Sequence, residues 1–228
     1  MSRQLAFDLP TRPSLRREDL FISPANALAV AALDGWGAWP QNRTILVGPH
    51  GAGKTHLAHV WAAAAGAVLV ESGALPGADL RALAEEPALA LEDADRLAGD
   101  RDAEVALFHL HNLLAERGVP FLLTARTPPR DWGLTLADVR SRMQAAPVAR
   151  LDPPDDALLS AVLVKLFADR QITVAPSLVA FLGQRMDRDL ATARALVAAL
   201  DARSLAEGRP ITRQMAADVL DVAEFWAS

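Results

Sequence analysis

With 228 residues, 51% of them hydrophobic, the chain can bury a substantial core as one large domain or as a medium and a small one. The absence of cysteine excludes a disulfide framework and a thiolate metal centre, and five scattered histidines offer no zinc spacing. A net charge of −5 argues against a protein whose main work is coating nucleic acid, and the longest apolar runs are well short of a membrane span.

Residues 1–13 read as an extended tail, because Pro10 and Pro13 discourage regular structure and no periodicity is present. Arg3, Asp8 and Arg12 interrupt any apolar block, so no signal peptide is visible and a cytoplasmic location is the default. Leu5, Phe7 and Leu9 nevertheless alternate along the tail, as in a docking peptide. A terminal strand folded back onto the parent domain is the competing reading. Ser23-Pro24 starts a helix that continues through Ala27 to Leu33, with Ser as N-cap and Pro at the first helical position. Pro40-Gln41-Asn42 breaks the chain before an apolar strand, Arg43 to Val47.

That strand ends at Gly48-Pro49-His50-Gly51-Ala52-Gly53-Lys54-Thr55, a match to the phosphate-binding loop pattern. The glycines let the backbone turn with positive φ and approach a ligand closely. The loop N–H groups and the N-terminus of the next helix, Lys54 to Ala65, then form an anion cradle. Lys54 would reach the β- and γ-phosphates, and the Thr55 hydroxyl would ligate Mg²⁺. The chain has only two lysines, and one of them stands where a compact point charge suits a phosphate.

Further along, Ala67 to Val70 reads as a second strand, Gly77 to Glu86 as a short helix, and Ala88 to Leu91 as a third strand ending in Glu92-Asp93. A phosphate loop needs an acid at the end of a neighbouring strand to hold the metal shell. Glu92 and Asp93 could divide the work, one toward the metal and one toward a water, whereas Asp95 lies just beyond. Asp102 to Arg117 is an amphipathic helix expected to bury Val105, Phe108, Leu110, Leu113 and Leu114. Val119 to Thr124 is a fourth strand, Leu136 to Met143 a short helix, and Pro147 to Leu151 a fifth strand. After Leu151-Asp152-Pro153-Pro154 everything reads as helix: 155–170, 176–185, 187–207 and 212–227. Alternating strands and helices followed by helices alone imply a parallel α/β domain and a small helical domain. Arg142, on the short helix, and Arg188, at the start of the long one, have no assigned role on these grounds in an Arg-rich chain.

Together these stretches resemble the AAA+ ATPases, and within them the DnaA group of replication initiators, with the nearest likeness to the Hda-type regulators that switch the initiator off. Phe21 to Asn26, with Ala29 and Ala32, is similar to the segment that starts the DnaA nucleotide domain, which puts Ile22 and Asn26 at the nucleotide. Gly53 to Leu57 with His59 is similar to its phosphate-loop helix, and this extends the nucleotide contacts to His56. Leu122-Leu123-Thr124 with Pro128-Pro129 looks like its sensor I strand and loop. Asp138 to Arg142 resembles the box carrying the arginine finger, which gives Arg142 a catalytic role beside Asp93. Met186 to Leu190 resembles the sensor II helix, which puts Arg188 over the nucleotide. Gln4 to Leu9 is similar to the short peptide with which bacterial proteins dock on the DNA sliding clamp, the β subunit of DNA polymerase III. Gln4 would make polar contacts there while Leu5, Phe7 and Leu9 enter an apolar pocket.

Departures from the family pattern bear on activity. Glu92 stands where the first acid is usually Asp, and Arg126 stands at the sensor I position, where Thr124 could substitute, so weak intrinsic hydrolysis is expected. Only a short crossover separates Val70 from Leu89, which leaves no room for the initiators' DNA-gripping insertion. The resemblance implies a tail (1–13), an AAA+ P-loop domain (14–151) and an all-helical lid (152–228), with ATP or ADP and Mg²⁺ between the last two. It implies the clamp and the DnaA initiator as partners, little direct DNA binding, no membrane, and leaves homo-oligomers open. The expected function is a regulator that supplies Arg142 to ATP on an initiator. A self-contained ATPase motor or helicase loader is the main alternative, and a nucleotide-dependent scaffold with no catalytic contribution is the third.

Overall fold

The structure is a computed structural model that describes Arg17 and residues 20–223. Five strands, β1 (Arg43–Val47), β2 (Val68–Glu71), β3 (Leu89–Glu92), β4 (Phe121–Ala125) and β5 (Val148–Arg150), form one parallel sheet in the order β2-β3-β4-β1-β5. All five residues of β1 and of β4 are buried, as expected for strands of a parallel sheet covered on both faces. Successive side chains serve opposite faces. Ile45, Leu91 and Leu123 join one core with Leu107, Leu110 and Leu114 of α4 (Arg101–Arg117). Leu46, Ala90 and Leu122 join the other with Ala58 and Trp61 of α2 (Lys54–Ala65), beside α1 (Ala27–Asp34). Trp39 stacks on Trp61 at 5.3 Å and donates its indole N–H to Ala32 O.

Beyond β5 the chain forms α6 (Asp156–Ala168), α7 (Pro176–Arg185), α8 (Leu190–Glu207) and α9 (Arg213–Ala223). These pack around a separate core that includes Leu163, Phe167, Leu182, Val197 and Leu200. The remaining helices, α3 (Leu80–Leu83) and α5 (Ala137–Gln144), flank the sheet. Among the described residues no helix is long and apolar enough to cross a membrane.

Several local expectations need correction. The first helix begins at Ala27, because residues 23–26 form a turn in which the Asn26 side chain accepts the Ser23 N–H and donates to Phe21 O. The 77–86 helix is reduced to α3, whose first N–H groups are capped by Asp79. On α4, Val105, Phe108 and Leu113 are only half-buried, and the buried stripe is Ala103, Leu107, Leu110 and Leu114 together with Glu104 and His111. The expected end of the last helix, 224–227, and the tail peptide Gln4, Leu5, Phe7 and Leu9 lie outside the described residues.

Glu104 is 0% exposed. Burial pushes its carboxyl up, but N–H groups of Thr135, Leu136 and Gly99 and the Thr135 hydroxyl all donate to it and hold it below the usual range. This carboxylate therefore ties α4 to the segment that enters α5, the helix carrying Arg142.

Candidate functional site at the phosphate loop

β1 delivers the chain to Gly48, where a side chain has no room: a β-carbon there would lie 2.6 Å from Leu151 O. Gly53, at φ +104°, serves as N-cap of α2. Lys54 on the first turn is 8% exposed, and its Nζ donates to Gly48 O at 2.8 Å and Pro49 O at 2.9 Å. Burial lowers the Lys54 pKa; Asp93 opposes this, Arg126 adds to it, and Asp95 and Asp189 oppose it.

Two cavities meet at this loop. One, of about 260 Å³, is polar and is lined by His50, Gly51, Gly53, Lys54, Thr55 and His56 with Asp93, Arg96, Arg126, Leu190, Ala191 and Arg194. The other is narrower and mainly apolar, between Phe21, Asn26, Ala52, Leu57 and Leu151 on one side and Leu158, Val162 and Leu166 of α6 on the other. Gly53, His56, Leu190 and Arg194 line both. His56 is held neutral at the junction: burial, then Arg194, His59 and Lys165, push its pKa down to about 4.

The acidic side is asymmetric. Asp93 lines the polar cavity in a left-handed conformation, φ +51°, rare for a residue with a side chain. Its N–H donates to Thr124 Oγ1, and its carboxylate is paired with Arg96 at 3.5 Å. Asp95, set aside in the sequence reading, accepts the Arg126 N–H and so fixes the chain beside the cavity. Glu92 lines neither cavity, and its buried Oε1 has no partner among the described residues. Mg²⁺ at phosphate sites takes one or two protein oxygens and completes its shell with phosphate and water. Thr55 and Asp93, on one cavity, fit that donor set; Glu92 is not brought to it. Among the described residues there is no cluster of three or more acidic or histidine side chains of the kind that cages a metal by itself.

Other expected residues are placed elsewhere. Ile22 is 49% exposed and lines neither cavity. Asn26 lines the apolar slot, but its amide is spent on Ser23 and Phe21. Arg188 precedes α8 and pairs with Asp156 at 2.8 Å, in a groove whose described lining includes no phosphate-loop residue. Arg194 was missed by sequence reasoning. It follows Leu190 by four residues, on the face of α8 that meets the loop. The N-terminus of that helix is docked there: Leu190 N–H donates to Gly51 O at 2.8 Å, and Asp189, the N-cap, accepts from His50 Nδ1. The Asp189 carboxyl lies below its usual range because N–H groups of Thr192 and Ala191 and the His50 ring outweigh the effect of burial.

Arg142 lies at the other end of the sheet. α5 runs into the N-terminal end of β5, whereas the phosphate loop follows the C-terminal end of the parallel β1. The guanidinium sits 4.8 Å over the Phe108 ring and donates to Asp138 O. Nearby, Arg43 and His111 are buried and in contact, and Arg142 helps to depress the pKa of both.

No protein-family model matches the chain. Solved structures do. Domain III of the Thermotoga maritima replication initiation protein DnaA superposes with a TM-score of 0.79 at 20% identity, over 93% of this chain and 98% of that one. AMPPCP-bound DnaA from Aquifex aeolicus gives 0.70 at 16% identity, over 86% of this chain and 68% of that one. The Thermotoga maritima RuvB Holliday junction branch migration motor gives 0.63 at 21%, over 86% and 65%. The fold is that of the AAA+ P-loop domains, in the form found in DnaA domain III.

Proposed function

We propose that this protein is a nucleotide-dependent regulator of replication initiation. It binds ATP or ADP, docks on the DNA sliding clamp through Gln4, Leu5, Phe7 and Leu9, and presents Arg142 to ATP held by a DnaA initiator. The observation that carries this reading is the position of Arg142, at the end of the sheet opposite the chain's own phosphate loop. An arginine so placed does not face the chain's own phosphate loop, which supports a role toward a nucleotide on another subunit. The Glu104 network, which fixes the approach to α5, supports an aimed guanidinium at this position.

In this reading the loop amides and Lys54 hold phosphates, His56 and the apolar slot take the base end, and Arg194 reaches in from the lid. Thr55 and Asp93 would hold Mg²⁺, which neutralises phosphate charge when bound. On the partner, the Arg142 guanidinium would stabilise charge that develops on the transferring phosphoryl group, an effect of roughly 10³ to 10⁵ in rate when an arginine is supplied in trans.

The test is a single-turnover assay with labelled ATP preloaded on the initiator, in the presence of clamp on DNA. Wild-type protein should accelerate hydrolysis, and Arg142→Ala should abolish the acceleration while nucleotide binding is kept. Arg142→Lys should rescue poorly, since it keeps the charge without the planar fork. Full stimulation by Arg142→Ala would defeat the assignment. Fast turnover by the isolated chain would favour the motor or helicase loader instead.

A further inference from the structure

The charges around the polar cavity do not balance. Lys54, Arg96, Arg126 and Arg194 line it, and among the described residues Asp93 is the one acidic side chain that does so. Asp95 and Asp189 lie close enough to act on Lys54, but one accepts the Arg126 N–H and the other is held by His50 and the first N–H groups of α8. Asp93, an oxygen that would face a divalent cation, is already paired with Arg96. Its left-handed backbone, pinned by Thr124, holds that carboxylate in place. The Arg126 main chain is fixed by Asp95, so its side chain starts from a defined point on the rim. Both residues are exposed, and Arg96 would exchange its pairing with Asp93 for a ligand. A planar, fully charged guanidinium binds phosphate oxygens in pairs of hydrogen bonds and never loses its proton at physiological pH.

We propose that Arg96 and Arg126 neutralise the polyphosphate from within the chain, so that this site binds its nucleotide as the metal-free polyanion and does not need magnesium to hold it. The inference rests on the nucleotide-binding reading above and concerns how that site meets the charge. Arg96 has two positions in this scheme. Without ligand it covers Asp93, and with ligand it swings to the phosphates, where Arg126 already lines the cavity. Magnesium can still be accepted by Thr55 and Asp93, but affinity does not depend on it.

The experiment is a titration of the full chain with a fluorescent adenine nucleotide, in magnesium and in EDTA. For the wild type the two dissociation constants should agree within about threefold. The Arg96→Ala/Arg126→Ala double variant should lose about tenfold or more in EDTA and recover most of that in magnesium. Both side chains are exposed, so the variant should keep its fold, which circular dichroism verifies. Wild-type binding that weakens about tenfold in EDTA would overturn the inference while leaving the nucleotide site intact. So would a double variant as indifferent to magnesium as the wild type. Failure to bind in either buffer would remove the nucleotide reading itself, and this inference with it.

Discussion

A β-carbon on Gly51 would lie 1.9 Å from the carboxylate of Asp189, so the cap of α8 occupies the space that a side chain in the phosphate loop would need. The contact is reinforced by Leu190 N–H to Gly51 O and by His50 to Asp189. The loop and the cap of α8 therefore fit closely at a position where glycine also takes φ +65°. Gly51→Ala should cost about 1–3 kcal/mol of stability from strain at that φ and displaced lid contacts. It should also weaken nucleotide binding. Urea unfolding and nucleotide titration check both; a variant unchanged in each would show that α8 is not seated on the loop.

The lid arginines separate in the same way. Arg194 lines both cavities, whereas Arg188 is held by Asp156. Arg194→Ala should weaken nucleotide affinity by about tenfold or more, the loss of a charge-assisted contact, and Arg188→Ala by no more than about threefold. Titration with a fluorescent nucleotide distinguishes them. A larger loss at Arg188 would mean that the lid turns on binding and exchanges one arginine for the other.

How much of this could be read in advance follows from the range of the interactions. The phosphate loop is legible because its chemistry lies within eight consecutive residues, and the strands because buried parallel strands are continuous apolar runs. The Arg142 helix is legible as an element, but its position relative to the loop requires the strand order. Arg194 is hidden because the sequence has many arginines, and its relation to Gly53 exists only after lid and sheet are folded together. Glu104 misleads any periodicity argument. An acid on a helix is placed on the solvent face until its donors, Thr135 and Leu136, arrive from a distant segment. Asp93 was found by its place at the end of β3, but its positive φ and its pairing with Arg96 carry no local signal.

Stability should fall in mild acid. Burial, then Arg43, with a smaller opposing effect from Asn112 and a further push from Arg142, lowers the His111 pKa from 6.5 to about 4. The unfolded chain therefore binds a proton between about pH 6.5 and pH 4 that the folded protein refuses. Stability is fully present above the upper value and is lost as pH falls toward the lower one, by at most about 3 kcal/mol from this group. Urea unfolding across that interval should give a positive slope of stability with pH. His111→Gln removes one of two such rings, the other being His56, and should reduce the slope. An equal slope in the variant would assign the pH dependence to other groups, with His56, also held near 4, the next to examine.

The tail can be tested independently of the fold. Gln4, Leu5, Phe7 and Leu9 lie outside the described residues; in the sequence, apolar side chains stand at alternate positions just before Pro10. Peptides of this kind bind through a few anchors, and truncating one commonly costs about 2 kcal/mol or more. Gln4, Leu5 and Phe7 changed together to Ala should therefore abolish measurable binding to the clamp in surface plasmon resonance. If the tail serves only as a docking peptide, nucleotide affinity should stay within about twofold of wild type. A synthetic peptide of residues 1–13 should compete with the whole chain for the clamp. If the triple variant loses stability and nucleotide binding along with the clamp, the tail is part of the domain core and the docking role fails. If clamp binding survives, the contact is made by another surface, and Arg142 must be brought to the initiator by other means.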